Sequence, residues 1–202
     1  MDHAIEKVTA FITRKTEVGI QLLLFQHPYA GNQIPAGTVE EHETPEQAAL
    51  REAEEETGLQ DFSMPRFLGC HEDRLPEGEW IILQQTNVFS RPDNTSFDWA
   101  FLRKGITVSA LRTNSGYTQI TYVEHDQVPE PQYVSMQITG WVPNDALNNY
   151  RRRHFFHLEF QGESPESWET FSDHHRFYPY WAQISNLPEI IAPQDDWLKY
   201  LA

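Results

Sequence analysis

Three glutamates, Glu52, Glu55 and Glu56, stand at spacings of three and four residues, which place them on one face of a helix. Carboxylates crowded in this way suit hard divalent cations, which prefer oxygen ligands. Like charges on one face destabilise a helix by a few tenths of a kcal/mol per pair, so the pattern needs an offset. Arg51, one turn before Glu55, supplies part of it, and a bound cation would supply the rest. A solvated acidic face is the usual meaning of a glutamate-rich run. This run differs because it sits in an ordered frame. Gly37 is followed by five residues, then Glu43, then seven residues, then Arg51-Glu52-Ala53-Glu54-Glu55-Glu56-Thr57-Gly58-Leu59.

The elements that must position these residues are readable. Thr44 is a good N-cap, Pro45 fits the first helical position and Gln47 completes a capping box. Gly58 suits the left-handed residue after the last turn. A helix over Thr44–Thr57 is therefore predicted, with Ala49, Leu50, Ala53 and Thr57 on the arc that packs on a sheet. Before it, Glu6–Thr13 alternates as a strand, Arg14–Gly19 is a polar turn, and Ile20–Phe25 is an apolar run suited to a strand buried on both faces. The loop from His27 to Gly31 leads through Ile34-Pro35-Ala36 to Gly37. After the helix, Arg66–His71 reads as a strand and Trp80–Phe89 as a longer one facing it, across a turn at Leu75–Gly78. Arg91–Asn94 is a further turn.

The frame from Gly37 to Leu59 resembles the Nudix box, the signature of hydrolases that act on nucleoside diphosphates linked to another group. Every fixed position is matched, with Ala53 and Leu59 at the two apolar ones. The order of strands and helix around it extends the resemblance over most of the first ninety residues. One departure is Ala36, where such proteins usually carry a second glycine. The resemblance implies an α+β fold, an α/β/α sandwich around a mixed sheet, here elaborated in the C-terminal half. We expect a single domain over residues 1–202 with its box at 37–59. The resemblance also implies Mg²⁺ or Mn²⁺ held by Glu52, Glu55, Glu56 and the Gly37 carbonyl. Arg51 would orient the glutamates, while Gly37, Glu43 and Gly58 would shape the loop and helix. Two rivals are a non-catalytic Nudix-like module that senses a nucleotide and a diphosphate isomerase. The isomerase needs a cysteine and a histidine set, for which Cys70 is a lone candidate.

The second half reads as strands at Ile106–Leu111, Gln119–Val123, Tyr133–Val142, Arg153–Phe160 and Phe177–Ile184. A short helix from Asn144 through Asn149 and a terminal helix over Pro193–Leu201 are also expected, the latter with Trp197, Leu198 and Leu201 inward. Arg151, Arg152 and Arg153 form a basic cluster that could grip a phosphate by forked hydrogen bonds or simply end an element. Glu124, Glu130, Glu159 and Asp173 are candidates for a carboxylate outside the box, although each reads more readily as a surface acid. Tyr122, Trp141, Phe156, Phe177, Tyr180 and Trp181 could stack on a base, although core packing is the commoner fate. His174 and His175 are adjacent and would point to opposite faces of a strand.

Composition narrows the partners. Thirty acidic against fifteen basic side chains give a formal net charge of -15, which disfavours duplex nucleic acid. The expected partner is a small nucleotide-type substrate, reached through cations and a local basic cluster. A homodimer is among the expected assemblies. One cysteine in the whole chain excludes an intrachain disulfide and fits a reducing cytoplasm. Neither a signal peptide nor a membrane-length apolar run is expected.

Overall fold

The computed structural model describes residues 4–27, 31–126, 133–172 and 175–201. The chain divides into two compact units, one of Glu6–His71 with Arg153–Ala202 and the other of Met1–Ile5 with Glu72–Arg152. Both units lie within the single elaborated domain expected over residues 1–202. The added strands stand between residues 72 and 152, in the middle of the chain rather than only toward its end.

In chain order the elements up to the first excursion are β1 (Ile5–Thr16), β2 (Gly19–His27), β3 (Gly31–Gln33), β4 (Ala36–Thr38), α1 (Pro45–Thr57) and β5 (Arg66–Arg74). The middle of the chain supplies β6 (Glu79–Ile82), β7 (Thr86–Phe89), β8 (Asp98–Leu102), β9 (Thr107–Asn114), β10 (Tyr117–Asp126), β11 (Tyr133–Pro143) and β12 (Leu147–Asn148). The chain then returns through β13 (Tyr150–Glu159), β14 (Thr170–Ser172) and β15 (His175–Gln183).

The first sheet has the order β14-β15-β2-β1-β13-β5, with β3 on β2 and β4 on β1. It is mixed. β1 is antiparallel to β2 and β4, but its contacts with β13 advance in step: His154 meets Glu6, and the Phe160 amide donates to the Thr13 carbonyl. Alternation along the strands sorts side chains to two faces. Val8, Ala10 and Ile12 join Leu23, Phe156 and Leu158 under α1. Phe11, Leu22, Leu24 and Phe155 face the other way. The run Leu22–Phe25 is buried on both sides, as an apolar stretch without alternation requires. The C-terminal segment covers the second face with Trp197, Leu198 and Leu201. The terminal helix expected over Pro193–Leu201 is a 3-10 helix, Asp195–Tyr200. Pro193 allows no regular helix before it, and six residues suffice to cover Phe155.

The second sheet has the order β12-β6-β9-β10-β11-β7-β8. One cluster draws inward residues from its strands, among them Ile82, Val88, Leu102, Val108, Ile120, Ile138 and Leu147. The single strand predicted over Trp80–Phe89 is two, β6 and β7, separated by a bend at Leu83–Gln85. β6 pairs with β9 and β12, not with β5. β8 was not anticipated. The helix predicted from Asn144 to Asn149 is a single 3-10 turn, Asn144–Ala146, led by Pro143, before the chain extends into β12. Among the described residues no helix is long and apolar enough to cross a membrane.

α1 forms where its signals lie. Thr44 accepts from the Gln47 amide while the Gln47 side chain accepts from the Thr44 amide, Pro45 opens the helix, and Gly58 closes it at φ 73°. Ala48, Ala49, Ala53 and Thr57 are fully buried, so the helix lies close on the sheet, and the Trp168 indole N–H donates to the Thr57 carbonyl at 2.7 Å. Small residues set this approach. Ala53→Leu is expected to cost about 1–3 kcal/mol through overpacking. Urea denaturation checks this, and an unchanged midpoint would mean that the helix can lift without cost.

Candidate active site

The box loop and α1 meet at Gly37. β4 holds Gly37 opposite Val8 of β1, and a Cβ added at residue 37 would run into the Glu52 carboxylate. Gly37 is therefore required by close approach rather than by a positive φ. Glu52 is 13% exposed and receives Arg51 Nη1 at 2.9 Å. The same nitrogen donates to Glu55 at 3.1 Å. The rest of the Arg51 guanidinium faces the loop. Nε and Nη2 fork onto Glu43 at 3.1 and 2.7 Å, and Nη2 also reaches the Thr38 carbonyl at 3.0 Å. Its forked geometry, which lysine lacks, lets one side chain organise three carboxylates. Hydrogen bonding to Glu43 and the charge of Glu52 hold the Arg51 pKa well above its ordinary value, against a smaller opposing effect of burial.

Glu43 in turn accepts from the Glu40 amide at 2.7 Å, which fastens the loop just before the helix. Glu56 is organised separately, accepting from the Ala36 amide at 3.0 Å. Sequence reasoning missed this contact because it involves a backbone N–H. It also explains why alanine is accepted at 36. Among the described residues only His42 and Ser115 are non-glycine residues with positive φ, so Ala36 needs none of glycine's freedom. The repulsion among Glu52, Glu55 and Glu56 is thus offset in the protein itself by one guanidinium and one amide.

Among the described residues no three acidic, histidine or cysteine side chains are gathered into a ready cation cage. The donor set nevertheless fits a hard divalent cation. Glu52, Glu55 and Glu56 stand at one loop-helix junction, Glu52 against Gly37 and Glu56 on the Ala36 amide, and offer oxygen donors only. Glu55 is 53% exposed, so its carboxylate meets solvent as well as Arg51.

The basic cluster splits by strand alternation. Arg151 forks onto Asp73 at 3.0 and 2.5 Å, and Arg152 binds Glu72 at 2.5 Å. Arg153 donates to the Val8 carbonyl and Thr9 Oγ1 at 3.0 and 3.1 Å and lies 4.2 Å from the Trp197 ring centroid. Protein partners account for all three arginines without a substrate.

Of the acids outside the box, Glu124 accepts from the Tyr122 hydroxyl at 2.6 Å. Glu159 pairs with Lys15 at 2.8 Å, which holds its carboxyl below the usual range. Glu130, Asp173 and His174 lie outside the described residues, as does the His175 side chain. The aromatic candidates are mostly structural. Trp141, Phe156, Phe177 and Trp181 are buried, Tyr122 packs in the second unit's core, and Tyr180 donates to Asn32 Oδ1. Cys70 is exposed on β5.

The family pattern of the NUDIX domain matches residues 5–158, three-quarters of the chain, and the chain belongs to the Nudix family. Among solved structures it is similar to the NUDIX domain of Shewanella oneidensis NrtR, crystallised with ADP ribose. That likeness has 11% identity and a TM-score of 0.44, and covers 100% of this chain and 88% of the other. It is too loose to carry a ligand from one protein to the other.

The contact between residue 37 and Glu52 gives a sharp test. In Gly37→Ala the flexible Glu52 carboxylate must yield, so the melting temperature should stay near wild type while Glu52 leaves its seat. Any stabilisation by Mg²⁺ or Mn²⁺ should shrink with it. A variant with the full wild-type metal response would show that Glu52 is not held for a cation.

Proposed function

We propose that this chain is a divalent-metal-dependent pyrophosphohydrolase that cleaves the diphosphate bond of a nucleoside diphosphate linked to another group. The observation that supports this reading is the complete and mutually organised acid set: Glu52 seated against Gly37, Glu55 beside it on Arg51, and Glu56 on the Ala36 amide. Mg²⁺ or Mn²⁺, held by Glu52, Glu55, Glu56 and the Gly37 carbonyl, supplies charge neutralisation of the diphosphate and acidifies water when bound.

The chain's own residues do the rest. Arg51 fixes the rotamers of Glu52 and Glu55 and anchors them to Glu43, so the acids are oriented before substrate arrives. Glu43 ties that anchor to the loop. Water attacks one phosphorus in line. Its proton passes to a carboxylate in reach, either Glu52 or an acid outside the box, and the other phosphate leaves. One cysteine suits a reducing compartment, and the cytoplasm is the proposed place of action.

Phosphate release from a panel of nucleotide derivatives, with and without Mg²⁺ or Mn²⁺, is the primary test. No release from any of them would favour a binding module instead. Glu56→Gln removes a charge while leaving helix propensity almost unchanged. It should lower turnover by about a hundredfold or more, the scale of lost acid-base and charge chemistry, with folding retained by circular dichroism. Wild-type turnover would remove Glu56 from the machinery. Millimolar Mg²⁺ or Mn²⁺ should raise the melting temperature, because the unfolded chain has no such site. The rise should be smaller in Glu55→Gln, and an equal rise in both proteins would put the cation elsewhere.

A further inference from the structure

We propose that Lys7 is a positioning residue for the acid set, acting through Thr38 on Arg51. The inference rests on the reading above, in which Arg51 and its glutamates are the working centre, and it adds a residue from outside the box.

β4 meets β1 along one edge and the acids along the other. The Val39 amide donates to the Glu6 carbonyl at 3.0 Å, and the Ala10 amide donates to the Pro35 carbonyl at 2.9 Å. A trans peptide is planar, so its N–H and its C=O point opposite ways. The peptide that gives its N–H to Glu6 therefore turns the Thr38 carbonyl away from β1, where Arg51 Nη2 meets it at 3.0 Å. The peptide whose carbonyl accepts from Ala10 turns the Ala36 amide the same way, onto Glu56 at 3.0 Å. The pairing of β4 with β1 thus aims both backbone groups that anchor the acids.

That pairing is short. β4 has three residues, opposite Lys7, Val8 and Thr9. Directly opposed residues put their side chains on the same face. Val8 lies under α1, so Lys7 and Thr38 point to the other face. There Lys7 Nζ donates to Thr38 Oγ1 at 2.6 Å, a charge-assisted bond. It clamps to β1 the residue whose carbonyl receives Arg51. The rung at Ala36 has a different support. Its partner Thr9 is fully buried and accepts from Arg153 Nη1 at 3.1 Å. Loss of the Lys7 ammonium therefore loosens the Arg51 end of β4 and leaves the Glu56 end in place. A lysine within a strand carries no signal of its own in the sequence, and only the register with Thr38 reveals it.

Hydrogen exchange followed by NMR reads both ends without metal or substrate. The probes are the Arg51 Nε–H, which donates to Glu43, and the Ala36 amide. The Nε signal is assigned by its absence in Arg51→Lys. Lys7→Met should speed exchange at Arg51 Nε about fivefold, the scale of one hydrogen bond, and leave the Ala36 amide unchanged. Thr38→Val should do the same, and the double variant should add nothing to either single one. Thr38→Ser, which keeps the hydroxyl, should exchange as wild type. Unchanged Arg51 exchange in Lys7→Met, equal acceleration at both ends, or additive effects in the double variant would each overturn the proposal. On any nucleotide derivative that wild type hydrolyses, Lys7→Met should lower kcat about fivefold with KM little changed, the pattern of lost preorganisation. A raised KM with kcat kept would make Lys7 a substrate contact and overturn the positioning role. Absent hydrolysis in wild type, with the Arg51 response intact, would sink the proposed function and leave the clamp standing.

Discussion

The candidate site depends on one guanidinium. Arg51 touches Glu43, Glu52, Glu55 and the Thr38 carbonyl, joining the loop before α1 to the acids on α1. Each pair on its own is modest, since partly exposed ion pairs contribute on the order of 1 kcal/mol or less. Their value lies in sharing a cation. The carboxylates are held at fixed rotamers by a group that is itself fixed at its other end by Glu43. Lysine could supply the charge but not the fork.

That arrangement needs a helix at a fixed height above the sheet. Ala48, Ala49 and Ala53 set the height by burying almost no side-chain bulk, and Gly37 allows the Glu52 carboxylate to lie against the loop backbone. The strands below are pinned from both faces. Phe156 and Leu158 support the helix side, while Phe155 packs on Tyr200 with ring centroids 3.9 Å apart on the other. The acids therefore stand on a platform with little freedom, which is what preorganised chemistry asks of a scaffold.

This much was legible because its signals are local. Capping residues, a proline, a terminal glycine and a period of 3.6 all act within one or two turns, and α1 ended where Gly58 ends it. The second unit was harder to read for a physical reason. Its strands were mostly recognisable one by one, but their partners are set by long-range pairing. β9, β10 and β11 pair with their chain neighbours, but β6 pairs with β9 past β7 and β8, and β7 pairs with the distant β11, and no local residue type declares either. The arginine run shows the same limit. Arg151, Arg152 and Arg153 look like one cluster in sequence, yet a strand alternates them, and each meets a different partner. The Ala36 amide was invisible because backbone donors leave no trace in side-chain pattern.

The box also shows how local conflict marks a site. A helix made only for stability would not place Glu52, Glu55 and Glu56 on one face. Natural sequences keep such conflicts mainly where function requires them. Here the conflict is lowered but not removed. Arg51 shares one nitrogen between Glu52 and Glu55, and Glu56 accepts from the Ala36 amide. One guanidinium thus serves three carboxylates, Glu43, Glu52 and Glu55. The junction gathers these acids in a chain whose formal charge is already -15. A cation of higher charge would balance this acidity, and the proposed metal dependence draws on the same residues that Arg51 organises.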